Sequence, residues 1–223
     1  MRRGLDRPTL KALYDRVARR YDLQHALSTA RCDQRGREIL VEETVRPGNT
    51  VLDCGAGTGS TALLAARRLG AGGRVVLLDQ SGGMLAVARS KIEAAGLQGR
   101  VDLVLGDMAA LPFADSCFDV VLSTYSMCPL YEPSRGALEL YRVVRPGGRV
   151  GIAHSTRPEA SLTRWLADKV ESVVWRVPSL SLGCRPVSVL PALEQVGASV
   201  VFTKTIGVPL WPFLAFVVAK PAI

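Results

Sequence analysis

The sequence predicts an α/β fold, a doubly wound, mostly parallel sheet of seven strands. Five short apolar strands alternate with helical patterns, and a parallel connection needs a crossover of helix length. A glycine-rich turn follows the first strand, where open α/β sheets hold their ligands. The last two strands are joined by a link too short for a crossover, which predicts an antiparallel pair at the sheet edge.

Along the chain, Leu10, Leu13, Tyr14, Val17 and Tyr21 recur at three- and four-residue steps, so residues 9–21 read as one amphipathic helix. Asp33 is expected to cap a second helix running to about Val45, and Pro47-Gly48-Asn49 then breaks the chain. The five strands are expected at 50–54, 74–79, 101–105, 118–123 and 149–154, with helices at about 60–69, 81–95 and 134–144. Ser161 to Trp175 reads as a further helix, as does Val187 to Val196. The closing hairpin pairs 199–206 with 213–219 across Gly207-Val208-Pro209. No repeat, low-complexity tract or linker marks a second domain.

Composition removes several function classes. With 223 residues and 48% hydrophobic content, the chain can bury a core without staples. Its five cysteines form no CxxC pair and are odd in number, which argues against a disulfide framework or a structural zinc site; no metal is expected. The basic start lacks the apolar stretch of a secretory signal, and the apolar run from Trp211 to Ala219 is too short to span a bilayer, so a cytoplasmic location is expected. The net charge of +8 is uneven: residues 1–37 hold ten Lys and Arg against four Asp, leaving +6. Such a segment suits an anionic membrane surface, a phosphate-bearing substrate or RNA, and equally a solvated helix face; weak membrane contact through residues 1–20 is expected, at no more than about 1 kcal/mol per basic residue. Nucleic acid is not an expected partner, because no aromatic-rich basic strand and no Asn-Pro-Pro-aromatic tetrad accompanies the charge.

The most informative segment is Val51-Leu52-Asp53-Cys54-Gly55-Ala56-Gly57-Thr58-Gly59-Ser60. Its GxGxG spacing differs from the GxGxxG that aims a helix N-terminus at a pyrophosphate, and a carboxylate at Asp53 would repel that group while suiting an ammonium. The second strand ends in Asp79, placed to receive both hydroxyls of a ribose. The third ends in Gly106-Asp107-Met108, an acid for an adenine amino group beside an apolar side chain for its ring. Loop glycines with helix-capping acids could arise for structural reasons alone, but three consecutive strands ending in ligand-type residues point to a nucleoside.

This loop, together with Leu111-Pro112-Phe113-Ala114-Asp115-Ser116-Cys117-Phe118-Asp119-Val120-Val121 and Tyr141-Arg142-Val143-Val144-Arg145-Pro146-Gly147-Gly148-Arg149, resembles the class I S-adenosylmethionine-dependent methyltransferases over residues 47 to about 155. The resemblance implies a Rossmann-like methyltransferase fold, S-adenosylmethionine as donor and S-adenosylhomocysteine as product. It places Asp53, Gly55, Gly57 and Gly59 around the methionine moiety, Asp79 at the ribose, Asp107 and Met108 at the adenine, and Ser123 and Thr124 over the sulfonium. Thr58, Gln80, Met84 and Gly106 are further expected cofactor positions.

The segment from Tyr14 to Leu23 is similar to the N-terminal helix of the ubiquinone/menaquinone C-methyltransferase family, and phospholipid N-methyltransferase relatives share a tyrosine-bearing entry helix. That implies residues 1–46 as a helical lid over a methyltransferase domain at 47–223, with Tyr14 and Tyr21 as lid residues against the cofactor. The quinone enzymes usually carry an acid near the position of His154 and a longer segment before the last helix, which is compact here. The expected acceptor is therefore a hydrophobic or membrane-derived molecule such as a quinone precursor, with a phosphatidylethanolamine headgroup or a small soluble amine or phenol as alternatives. A base would help any of these. His154, ending the fifth strand, is the first candidate, with Tyr21 and Tyr125 as further catalytic residues and His25 ranked behind them. Capping and core packing are the structural readings of the same side chains. The oligomeric state is not legible.

Overall fold

The computed structural model describes residues 4–29, 31–177 and 181–222. Met1 to Arg3 of the basic run lie outside these described residues. Strands β1 (Thr50–Cys54), β2 (Arg74–Asp79), β3 (Val101–Leu105), β4 (Phe118–Thr124) and β5 (Val144–Ser155) are parallel neighbours, and β6 (Ser199–Val208) and β7 (Trp211–Ala219) join antiparallel. The order is β3-β2-β1-β4-β5-β7-β6. The chain therefore runs outward from β1 through β2 to β3 and returns to β4 on β1's other side. That reversal opens a crevice beyond the tips of β1 and β4.

Helices cover both faces. On one, α3 (Cys32–Thr44), α4 (Ser60–Leu69) and α5 (Gly82–Ala94) pack Leu40, Ala62, Ala65 and Ile92 on Val51, Val75 and Leu77. On the other, α6 (Pro133–Val143) and a short α8 (Leu190–Gln195) bring Leu140 and Leu193 onto Leu52, Ile152 and Phe216. Alternate residues of β1 thus serve opposite faces, as the period of two requires. The first helix α1 (Arg7–Val17), a 3-10 turn (Ala18–Arg20) and α2 (Tyr21–Ser28) lie against α5, where Leu13, Val17 and Ala18 bury Met84. Helix α7 (Ser161–Val174) buries none of its side chains fully. Among the described residues, no helix is long and apolar enough to cross a membrane.

Four sequence expectations change. The single helix over 9–21 is divided by the 3-10 turn, which turns Tyr21 and His25 inward and leaves Leu23 and Leu27 exposed. Asp33 does not cap α3: Arg31, in a left-handed conformation, precedes the helix, and the Asp33 side chain bonds to Thr29, His25 and Arg37 instead. Residues 1–46 are not one cover, because α3 packs into the sheet core through Leu40 and Val41. Finally, β5 starts at Val144, its pairing with β4 slipping between Phe118 and Val120. The side chain of Asp119 accepts the Thr50 amide at 2.7 Å and pairs with Arg145 Nε at 2.6 Å.

Gly148 makes that slip sterically feasible. A Cβ there would sit 2.7 Å from the Asp119 carbonyl oxygen and 2.9 Å from that of Arg145, and backbone cannot yield as a side-chain tip can. Gly148→Ala is expected to cost about 1–3 kcal/mol, as overpacking does. Denaturant unfolding would show it, and a variant as stable as the parent would remove this account of the turn.

Candidate active site

The glycine loop joins β1 to α4 with Gly55, Gly57 and Gly59 all at positive φ (67°, 56° and 80°), the region in which a Cβ is strained. Asp79, at the tip of β2, holds this loop: one oxygen accepts the Gly57 amide and the other the Ser81 amide, each at 2.8 Å. Burial pushes its carboxyl above the usual range against those two bonds. At the tip of β3, Asp107 accepts the Ala109 amide at 2.9 Å and the Tyr131 hydroxyl at 2.6 Å, and pairs with Arg7 at 3.1 Å.

One crevice gathers Tyr14 and Tyr21 from the N-terminal helices, Gly55 and Gly57 from the loop, Asp79 and Gln80 after β2, Gly106, Asp107 and Met108 after β3, and Thr124 and Tyr125 after β4. Leu10, Ser126 and Leu130 also line it, and sequence reasoning passed over them. Leu10 had been absorbed into a helical stripe. Ser126, which donates to the Cys54 carbonyl at 3.2 Å, follows the strand end without any motif to mark it. Tyr131 was missed for the same reason.

Six expected residues do not line the crevice. Gly59 starts α4, and Ser123 is fully buried, sharing a 2.5 Å hydrogen bond with Ser126. Thr58 turns to the N-terminal cover, donating to Asp22 at 2.5 Å. Met84 is core beneath α1, because its position on the first turn of α5 faces Leu13 and Val17. His154 is 1% exposed, on the core face with Val150 and Ile152, and its ring meets the edge of Phe216 at 5.9 Å. Its Nδ1 bonds the Ser155 carbonyl at 2.9 Å, and burial lowers its pKa, so the structure does not bring this histidine to the crevice as a base. Asp53 is fully buried behind the loop, on the face with Val51.

Asp53 is nonetheless the least satisfied group in the region. Neither carboxylate oxygen has a hydrogen-bond partner of normal geometry among the described residues, and burial pushes its pKa to about 7 despite the opposing charge of Arg37 and the nearby Ala62 amide. Gln80 Oε1 is likewise buried without a partner. Two orphaned acceptors behind a glycine loop fit a ligand that brings hydrogen-bond donors and positive charge.

The cover is fastened at each strand tip. Asp15 accepts the Ser81 hydroxyl at 2.6 Å and the Gly83 amide at 3.0 Å, Asp22 meets Thr58 and Lys91, each at 2.5 Å, and Arg7 reaches Asp107. Beneath it the crevice keeps about 60 Å³ of free space. Tyr125, itself at φ 60°, forms a wall common to this crevice and a second chamber of about 280 Å³. That chamber is lined by Val170, Val174, Trp175, Trp211 and Phe213, with His25, Ser28 and Thr29 from α2. Gly36 makes room for the tyrosine, since a Cβ there would lie 2.1 Å from its hydroxyl oxygen.

Comparison with known proteins agrees with this geometry. Residues 51–148 match the family described as a methyltransferase domain. The chain is 32% identical over 157 residues to demethylmenaquinone methyltransferase of Symbiobacterium thermophilum, covering 70% of this chain and 62% of that protein. It is 31% identical to the ubiquinone/menaquinone biosynthesis C-methyltransferase UbiE of a Marinomonas strain, covering 70% and 63%. The chain thus spans less than two thirds of the length of these relatives. A solved SAM dependent methyltransferase from Aquifex aeolicus superposes with a TM-score of 0.61 over 82% of this chain and 88% of that one, a likeness of fold at 22% identity.

Asp53 gives the fold a pH signature. An unfolded aspartate titrates near ~4, so a folded pKa of about 7 at Asp53 means that folding binds a proton. Its stabilising effect is complete below about pH 4 and is lost as the pH rises through 7. Asp53→Asn is expected to lessen the fall in melting temperature between pH 5 and pH 8, and an unchanged fall would count against the assignment.

Proposed function

We propose that the chain, whose residues 51–148 match the methyltransferase-domain family, is a class I S-adenosylmethionine-dependent methyltransferase and that it methylates a hydrophobic acceptor of the quinone-precursor kind. The observation that carries the reading is the convergence of the tips of β1, β2 and β3 on one crevice, with unpartnered acceptors behind the loop. When bound, S-adenosylmethionine supplies an activated methyl group, so the protein's task is placement. Holding reactants near contact is worth effective molarities of roughly 10⁵–10⁸ M.

In this reading Asp79 receives the ribose hydroxyls and Asp107 with Met108 the adenine, while the carboxylate of Asp53 balances the cationic methionine end. A nucleoside of this size needs far more than the free space under the cover, and ligand sites commonly measure about 300–1,000 Å³. Helices α1 and α2 therefore act as a lid that withdraws for exchange. Its exposed ion pairs cost little to open, at about 0.2–1 kcal/mol each.

The acceptor enters the chamber beyond Tyr125. Among the described residues no Asp, Glu, Lys or Arg lines it, so a lipid ammonium headgroup would find no counter-charge from them, whereas an aromatic ring would find Trp175, Trp211 and Phe213. Leu27, Trp165 and Val173 are exposed on helices α2 and α7, which also contribute His25, Ser28, Val170 and Val174 to the chamber, and Arg16, Arg19 and Arg20 are exposed on the lid. This combination suits transient contact with an anionic membrane that holds the acceptor.

Titration calorimetry tests the donor site. S-adenosylhomocysteine binds, and Asp79→Asn weakens it about 10- to 10²-fold, the loss of one or two charge-assisted hydrogen bonds. No heat with the parent protein would remove the reading. Incubation with methyl-labelled donor should label demethylated quinol vesicles and leave phosphatidylethanolamine vesicles unlabelled; the reverse pattern would overturn the acceptor assignment. Flotation with anionic liposomes should recover the protein at low salt and lose it at high salt, and failure to float at low salt would remove the membrane step.

A further inference from the structure

Tyr125 and the two chamber thiols, Cys128 and Cys184, are unsuited to remove a proton, because burial pushes each of them up and keeps it protonated. His25 differs. It is a side chain of the wall between two spaces, the acceptor chamber on one side and an outer groove bounded by Asp22, Arg31, Gln34 and Ser60 on the other.

Its ring is held on three sides. Tyr21 stacks on it with centroids 5.2 Å apart, Tyr125 leans on it at 5.6 Å, and Nδ1 lies 2.9 Å from Asp33 Oδ2. Asp33 in turn accepts the Thr29 hydroxyl at 2.7 Å and pairs with the buried guanidinium of Arg37. Burial alone would raise the Asp33 carboxyl, but the His25 hydrogen bond and Arg37 outweigh it and hold it below the usual range. An ionised carboxylate can only accept, so Nδ1 carries a proton toward Asp33, and in the neutral imidazole Nε2 then keeps a lone pair. Nε2 has no hydrogen-bond partner among the described residues. An acid that orients a histidine whose other nitrogen is free is the arrangement of a general base.

We propose that the His25–Asp33 pair is the base that deprotonates a phenolic hydroxyl of the acceptor. This rests on the methyl-transfer reading above. The O–H bond breaks, its proton passes to Nε2, and its electron pair remains on the acceptor. From the oxygen, or from the conjugated ring carbon whose own proton then leaves it and is replaced on the oxygen to restore the phenol, an electron pair forms the bond to the methyl carbon, while the sulfur of the donor keeps the electrons of the broken S–C bond. The imidazolium, stabilised by Asp33, then releases its proton to water in the outer groove.

The test uses His25→Gln, with His25→Asn as a second variant should the first fail to fold, and S-adenosylhomocysteine affinity and melting temperature as controls. Loaded with S-adenosylhomocysteine and mixed with 4-nitrophenol at a pH where the free phenol is protonated, the parent protein should develop the phenolate absorbance. The variant should bind the phenol without that band. In turnover, kcat on 1-naphthol should fall about 10²-fold, the usual worth of a general base. On 4-nitro-1-naphthol, already ionised at the assay pH, it should fall only a few-fold.

Equal losses on both naphthols, an unchanged phenolate band in the variant, or a parent protein that shows no band and methylates neither naphthol would each overturn the assignment. Binding of S-adenosylhomocysteine by the parent separates failure of the base from failure of the methyl-transfer reading, since a protein that does not bind it loses both.

Discussion

The constraint on which everything else depends is the common level at which the parallel strands end. Cys54 pairs with Leu78 and Asp79 with Leu105, so the residues that follow β1, β2 and β3 emerge side by side along one edge. Backbone pairing thereby places Asp79 2.8 Å from the Gly57 amide although 22 residues separate them. The reversal of direction between β1 and β4 does the rest, since no helix crosses the gap there to fill it. The N-terminal helices fill it instead, using short acidic side chains that reach loop amides and hydroxyls.

Unpaired polarity is concentrated at this edge. Asp53 is denied a partner at full burial, a situation that folding alone does not favour and that a cationic ligand relieves. Asp33 presents the opposite arrangement, also buried but saturated by Thr29, His25 and Arg37. One carboxylate is poised to receive something, whereas the other is fixed so that its histidine neighbour is fixed too. The Arg37 guanidinium acts on both charges.

Strand positions were legible almost residue by residue, because short β-branched runs between turn signals admit few alternatives, and β1, β2 and β3 have the expected limits. The glycine loop was legible through spacing, and the acids after β2 and β3 through their place after strands. Helix packing was less so. Periodicity in residues 9–21 cannot reveal the 3-10 turn that redirects Tyr21 and His25, and a strand-end histidine such as His154 has two faces to choose from. Its partner Phe216 lies 62 residues away, in a strand whose pairing with β5 the sequence does not indicate.

What the sequence by itself determined is the alternation of strands and crossovers, hence the sheet, and the chemistry carried at each strand tip, because these follow from local pattern and the handedness of connections. The tertiary structure alone decided which polar groups meet: that Asp33 turns from capping its helix to orient His25, that Met84 and His154 are core, and that Tyr125 separates two chambers. Such partnerships join residues from elements distant in the chain, and burial in a shared space, not sequence spacing, sets their chemistry.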